Sequence, residues 1–177
     1  MRERRVTCLL LAGGAGTRFG DPAKFLRDLC GESIASRLIR QLEELCEYVV
    51  IALSHRTIDR ARALCENPRA LCVELPGSGY VDDLSLALRS LPKPVLTVAA
   101  DVVARDSVIR NFLENALLRS VDVVTAVVED SPGWQNPVGL ALFNREEGSW
   151  DTVVLDAGDV VDVDTEEDLE KAGRFCG

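Results

Sequence analysis

The chain has 177 residues, of which 47% are hydrophobic, and a formal net charge of −9. That length suits one domain, residues 1–177, with a substantial core, and the acidic balance excludes general attraction to nucleic acid or to an anionic membrane. No run reaches the ~18 uninterrupted apolar residues of a membrane span, and Val6–Ala12 behind the basic start is too short for a secretory core, so a cytoplasmic protein without membrane insertion is expected.

The predicted elements alternate. Val6–Ala12 is a compact apolar run, and Tyr48–Leu53, Ala70–Leu75, Val95–Ala100 and Val121–Val128 follow as short apolar, often β-branched segments. Such runs suit strands covered on both faces. Between them, Ile34, Leu38, Leu42 and Leu45 form one helical stripe, and Val108, Ile109, Phe112, Leu113, Ala116 and Leu117 form another. Strand–helix alternation predicts an α/β fold, a mostly parallel sheet flanked by helices. Residues 129–160, with Trp134, Trp150, Pro132 and Pro137, are expected to form short strands and loops. "VVDVDTEEDLEKA" then reads as a strand and a last helix, with Thr165 as N-cap and Asp168 three residues on in a capping-box arrangement.

The six cysteines, at positions 8, 30, 46, 65, 72 and 176, form no CxxC pair. Most lie inside apolar patterns, so reduced core thiols are expected rather than a zinc site or a disulfide framework.

In open sheets of this type ligands bind beyond the carboxyl ends of the strands. The residues there are the 13–24 loop, Ser54–His55, Pro76–Tyr80, Asp101, and the pair Asp162 and Asp164. The stretch "LLLAGGAGTRFGDPAKFL" leaves the first strand with Gly13, Gly14, Gly16 and Gly20, then places Arg18 and Lys24 close together. Glycines let main-chain N–H groups approach a polyanion, a guanidinium forks onto phosphate oxygens, and an ammonium adds a compact charge. This is a phosphate cradle. It is not a P-loop, because no Gly-Lys follows at the required spacing, and it lacks the third glycine of a dinucleotide fingerprint.

"LAGGAGTRFG…K" resembles the signature of the nucleotidyltransferase superfamily that includes sugar-phosphate nucleotidylyltransferases and the molybdenum-cofactor guanylyltransferases. With "SGYVDDLSLAL", "VLTVAADVV" and "VVDVDTEEDLEKA", the chain is most similar to the archaeal-type GTP:adenosylcobinamide-phosphate guanylyltransferases. The resemblance implies a Rossmann-like single domain that transfers GMP from GTP to adenosylcobinamide phosphate, releases pyrophosphate and uses Mg²⁺, in cobalamin nucleotide-loop assembly. It implies that Leu11, Ala12, Gly13, Gly14, Gly16, Thr17, Arg18 and Lys24 hold the nucleotide, with Arg18, Lys24 and Asp101 catalytic. Pro76, Gly77, Ser78, Gly79 and Asp82 fall on the base side, and Asp101 and Asp162 are the metal contacts. Relatives often carry Asn-x-Asn-Thr where this chain has Asp162-Val163-Asp164-Thr165. Gly139 resembles a family position near the acceptor.

Simpler roles stand beside these. Asp164 fits helix N-terminal electrostatics, Asp82 and Asp83 fit a helix start, and His55 fits a solvated loop. A substrate phosphate is close to dianionic at neutral pH, so no protein base is needed, which agrees with a single histidine. A molybdenum-cofactor guanylyltransferase and a silent nucleotide-binding module are the alternatives, and a homodimer is compatible with the sequence.

Overall fold

The structure is a computed structural model that describes residues 6–176. Its centre is a seven-stranded sheet. In chain order the strands are β1 (Thr7–Leu11), β4 (Val49–Ser54), β5 (Ala70–Leu75), β6 (Val95–Ala99), β8 (Val123–Ser131), β9 (Trp134–Phe143) and β10 (Trp150–Leu155). Two small ribbons add β2 (Asp28–Leu29) with β3 (Glu32–Ser33), and β7 (Val102–Ala104) with β11 (Val160–Asp162). The helices are α1 (Ile34–Glu43), α2 (Arg62–Cys65), α3 (Tyr80–Ser90), α4 (Asp106–Leu117) and α5 (Glu166–Ala172).

The strand order is β10-β8-β9-β6-β1-β4-β5. β9 alone in this sheet runs against its neighbours β6 and β8, while the pairs β1–β4, β1–β6, β4–β5 and β8–β10 are parallel. The sheet is therefore mostly parallel, as the alternation predicts. Period-two alternation explains why β1 is apolar throughout. Cys8 and Leu10 face the larger core with α1 and α4, whereas Leu9 faces a second cluster with Val50, Ala87, Leu88 and Val95 under α3.

Two expectations are corrected. Residues 129–160 hold one long strand besides the short one and the loops expected: β9 is ten residues long and forms an irregular hairpin with β8, turning at Gly133 with φ +82°, while β10 has six. Prolines and tryptophans hide a strand pattern there, and the register shifts twice, between Thr125 and Val127 and between Glu129 and Ser131. The cysteines are all paired, as Cys8–Cys46, Cys30–Cys176 and Cys65–Cys72, with Cα separations of 6.1, 5.3 and 5.6 Å. Their sequence separations of 38, 146 and 7 residues follow no local motif; the pairing is tertiary.

Candidate active site

A cavity of about 620 Å³ opens beyond the carboxyl ends of β1, β4, β5 and β6. The floor is set by two backbone hydrogen bonds, Ala12 N–H to the Ala52 carbonyl at 2.8 Å and Ala100 N–H to the Leu11 carbonyl at 2.9 Å. From there the glycine loop folds back on itself. Gly16 has φ +59°, accepts from Gly20 N–H at 2.8 Å, and has no room for a Cβ, which would overlap the Asp21 carbonyl. Asp21 then anchors the loop, accepting from Ala23 N–H at 2.9 Å and from both terminal nitrogens of Arg60 at 2.6 and 3.1 Å. The Arg60 contact, with the Ala23 N–H, holds the Asp21 carboxyl below the usual carboxylate range. A 3₁₀ turn over Lys24–Leu26 follows directly and buries Lys24.

Lys24 is 8% exposed. Its Nζ lies 2.7 Å from Asp101 Oδ2 and 2.9 Å from Asp164 Oδ1, and Arg18 pairs with the other oxygen of Asp164. Burial opposes the ammonium charge, but the hydrogen bonds and charges of Asp101 and Asp164 outweigh it and raise the Lys24 pKa. Strand pairing brings the acids together. Asp101 occupies the turn between β6 and β7, β11 pairs antiparallel with β7 so that Asp162 faces Val102, and Val163 N–H donates to the Asp101 carbonyl at 2.9 Å. One carboxylate oxygen each from Asp101, Asp162 and Asp164 thus lies within 4.8 Å of the others.

The last helix fixes Asp164 in turn. Thr165 Oγ1 donates to Asp168 Oδ2 at 2.7 Å and accepts from Asp168 N–H at 3.2 Å, while Asp164 N–H donates to that same Asp168 carboxylate at 3.2 Å. Desolvation and the charges of Asp101 and Asp164 push the Asp162 pKa up to about 6, with Lys24 and Arg18 offsetting part of the rise. Three converging carboxylates, one of them holding its proton unusually well, form a donor set that fits a hard divalent cation.

The predicted residues fall as follows. Leu11, Ala12, Gly13, Gly14, Gly16, Thr17, Arg18, Lys24 and Asp101 line the cavity on one side, and Gly77, Ser78 and Gly79 line it on the other. Pro76 and Asp82 are not among the lining residues. Asp82 is exposed, and the carboxylate that the fold brings to the cavity is its neighbour Asp83, one helical turn from Tyr80 on the same face. Asp162 joins the acidic group rather than the cavity wall. His55 is exposed, and Trp134, at the hairpin tip, is 66% exposed and away from the lining. Gly139, φ +67°, lets β9 approach the strand that leads to Asp101: a Cβ there would sit 2.8 Å from that of Ala99.

Two residues already placed near the strand ends, Asp164 and Tyr80, take roles the sequence reading did not give them, and Arg56 is added. Asp164 bridges both cations rather than only favouring a helix start, and its spacing of two from Asp162 is the available signal, since alternate residues of an extended segment share a face. Tyr80 lines the cavity, where desolvation and the Asp101 charge raise its hydroxyl pKa. Arg56 lines it from the turn after β4 and carries no motif of its own.

Comparison with known proteins bears on the family and the fold. The model of the MobA-like NTP transferase domain matches residues 8–158. An adenosylcobinamide-phosphate guanylyltransferase of Methanocaldococcus jannaschii is 29% identical over 110 residues, a stretch that spans 59% of this chain and 56% of that relative. Among solved structures, HddC from Yersinia pseudotuberculosis complexed with GMP-PN superposes with a TM-score of 0.72 at 17% identity, covering 95% of this chain and 98% of the other. The inositol-1-phosphate CTP transferase from T. maritima gives 0.72 at 13% identity, covering 99% and 98%. These two likenesses show a shared fold. With a family model covering most of its length and a glycine loop, paired cations and an acidic group gathered at one cavity, the chain belongs to the MobA-like NTP transferase domain family.

Proposed function

We propose that the enzyme transfers GMP from GTP to adenosylcobinamide phosphate. The observation that carries this reading is the meeting of Arg18, Lys24 and the Asp101–Asp162–Asp164 group at the mouth of a glycine-lined cavity. The likeness to the M. jannaschii relative supports the choice of acceptor. An oxygen of the acceptor phosphate attacks the α-phosphorus of GTP, forming a new P–O–P bond, and the bond between the α- and β-phosphates breaks to release pyrophosphate. The acceptor is already an anionic nucleophile, so no side chain has to remove a proton. The protein's task is electrostatic. Arg18, Lys24 and the loop amides of residues 13–17 bind and align the triphosphate and offset the charge that develops on the leaving group.

Asp101, with Asp162 and Asp164, would hold Mg²⁺, which supplies positive charge against phosphate oxygens. We place the reaction in the cytoplasm, with the whole chain as one catalytic domain.

The test is pyrophosphate release from each of the four NTPs with Mg²⁺, with and without adenosylcobinamide phosphate. Release that requires both GTP and the acceptor is expected. Release with GTP and a molybdenum-cofactor acceptor instead would move the enzyme to that activity, and binding without release would make it a nucleotide-binding module.

A further inference from the structure

The wall opposite the glycine loop is the turn between β5 and α3. It contains Gly77 at φ +71° and Gly79 at φ +144°, conformations that leave a chain soft unless something outside the turn holds it. Here both main-chain polar groups of Gly77 are held by side chains. Its N–H donates to Asp83 Oδ1 at 3.2 Å, and its carbonyl accepts from Arg56 Nη1 at 3.1 Å. Both anchors stem from hydrogen-bonded backbone. Asp83 lies in the first turn of α3, and its own N–H donates to the Gly79 carbonyl at 3.0 Å. Arg56 sits in a turn closed by Thr57 N–H to the Ser54 carbonyl at 2.9 Å and by Ser54 N–H to Thr57 Oγ1 at 3.1 Å. The two turns touch: a Cβ on Gly77 would lie 2.9 Å from Arg56 Nη1 and 3.1 Å from Ser54 Cβ.

Asp83 is 8% exposed and has no ion-pair partner among the described residues. A buried carboxylate without a cation is unfavourable for the fold, so a main-chain anchor beside a ligand cavity is a physical reason for it to stand there. With the Gly77 groups occupied, the N–H groups of Ser78 and Gly79 make no hydrogen bond among the described residues, and both residues line the cavity. Such donors suit the O6 acceptor of guanine and oppose the N6 amino group of adenine.

We propose that Asp83 and Arg56 are positioning residues that clamp Gly77 and hold the Gly77–Gly79 main chain in the shape that selects the nucleobase. Asp83 acts through the Gly77 peptide and does not itself read the base. The inference rests on the guanylyltransferase reading and deepens it.

The test measures steady-state pyrophosphate release with GTP and with ATP for the wild type, Asp83→Ala, Asp83→Asn, Arg56→Ala and the double variant Asp83→Ala/Arg56→Ala, with thermal melts to confirm folding. Asp83→Ala is expected to raise KM for GTP about tenfold and to lower the GTP-to-ATP ratio of kcat/KM by a similar factor, while kcat at saturating GTP stays within about threefold. Asp83→Asn keeps an acceptor oxygen for Gly77 N–H and should recover most of what Asp83→Ala loses. Arg56→Ala should act in the same direction, and the double variant should fall well short of the product of the single effects, because both anchors serve one residue.

The proposal is overturned if Asp83→Asn is as damaging as Asp83→Ala, which would make the carboxylate a direct reader of the base. It is also overturned if the single effects multiply, or if selectivity does not move. Should Asp83→Ala not fold, Arg56→Ala, which removes an exposed side chain, decides by its selectivity alone. A wild type that prefers another nucleotide would overturn the guanylyltransferase reading instead, and the clamp is then judged by the same ratios on that nucleotide.

Discussion

Replacing Lys24 by methionine keeps the apolar stem of the side chain and deletes its ammonium. In the wild type that ammonium is nearly enclosed and bonds to Asp101 at 2.7 Å and Asp164 at 2.9 Å. Two hydrogen bonds to charged groups contribute about 1.5–3 kcal/mol each before the desolvation of the lysine is subtracted. Asp101 and Asp164 keep about a quarter of their side-chain surface in water, so screening trims the total further. A net loss of about 2 kcal/mol is expected, which in a domain of this size lowers Tm by roughly 4–8 °C.

The sign of the pH dependence follows from the raised pKa of Lys24. A raised lysine contributes stability that is fully present below its unfolded value and is lost as pH rises through the folded one. The gap between wild type and Lys24→Met should therefore be flat from neutral pH to pH 9 and close only above about 10.5. Thermal melts across that range, in metal-free buffer, measure it. Turnover should fall at least about tenfold, because the lost contact opposes charge developing on the phosphates. A folded Lys24→Met enzyme with wild-type turnover would refute the cradle, and an unchanged Tm would refute the charge cluster.

The remaining expectations concern the same cluster and the disulfides. Arg18→Ala should also lower turnover at least about tenfold with the fold intact, since its side chain is exposed and, on the proposed reading, would meet phosphates, and circular dichroism with initial rates checks both. Asp101→Asn should abolish turnover at saturating Mg²⁺, whereas Asp162→Asn should stay within about tenfold, because Mg²⁺ usually takes only one or two protein carboxylates. The raised pKa of Asp162 costs stability above about 6 and costs none below the unfolded value of 3.8. Asp162→Asn should thus stabilise the metal-free protein by about 1 kcal/mol at pH 7.5, with the gain fading toward pH 4 in denaturant titrations. Opening the disulfides one at a time with serine pairs should cost stability in the order Cys30–Cys176, Cys8–Cys46, Cys65–Cys72, following separations of 146, 38 and 7 residues. Chain entropy alone gives about 5, 4 and 2 kcal/mol for these loops, and an inverted order in melts would show that native packing dominates.

Much of the sheet was legible because its information is local. The run at Ala70–Leu75 is a strand with those bounds, and the stripe from Val108 to Leu117 lies inside α4. The glycine loop was legible for the same reason, since a position such as Gly16, with φ +59° and a carbonyl where a Cβ would stand, admits only glycine. The hairpin of β8 and β9 was not, because its pairing partner rather than its composition makes it a strand. The disulfides escaped because 146 residues separate two cysteines that end 5.3 Å apart at their Cα atoms. Asp83 was hard to choose over Asp82 because both suit the start of a helix, and only the position of that helix on the sheet decides which one meets the cavity.

The charge arrangement explains why one part of the site depends on another. Arg18 and Lys24 bring two positive charges to the cavity mouth, and Asp101, Asp162 and Asp164 bring three negative ones. Asp164 touches both cations, so the side chains best suited to a triphosphate are already engaged by a carboxylate. A triphosphate arriving without a counter-ion would meet a cluster with no positive excess. Desolvation raises the pKa of Asp162, and the charges of Asp101 and Asp164 raise it further. A divalent cation shared among the acids would reverse the balance and free Arg18 and Lys24 for phosphate oxygens. On the proposed reading nucleotide and metal affinity would thus be coupled through Asp164, and the backbone that would enforce the coupling is the β7–β11 pair, which fixes where Asp162 and Asp164 stand beside Asp101.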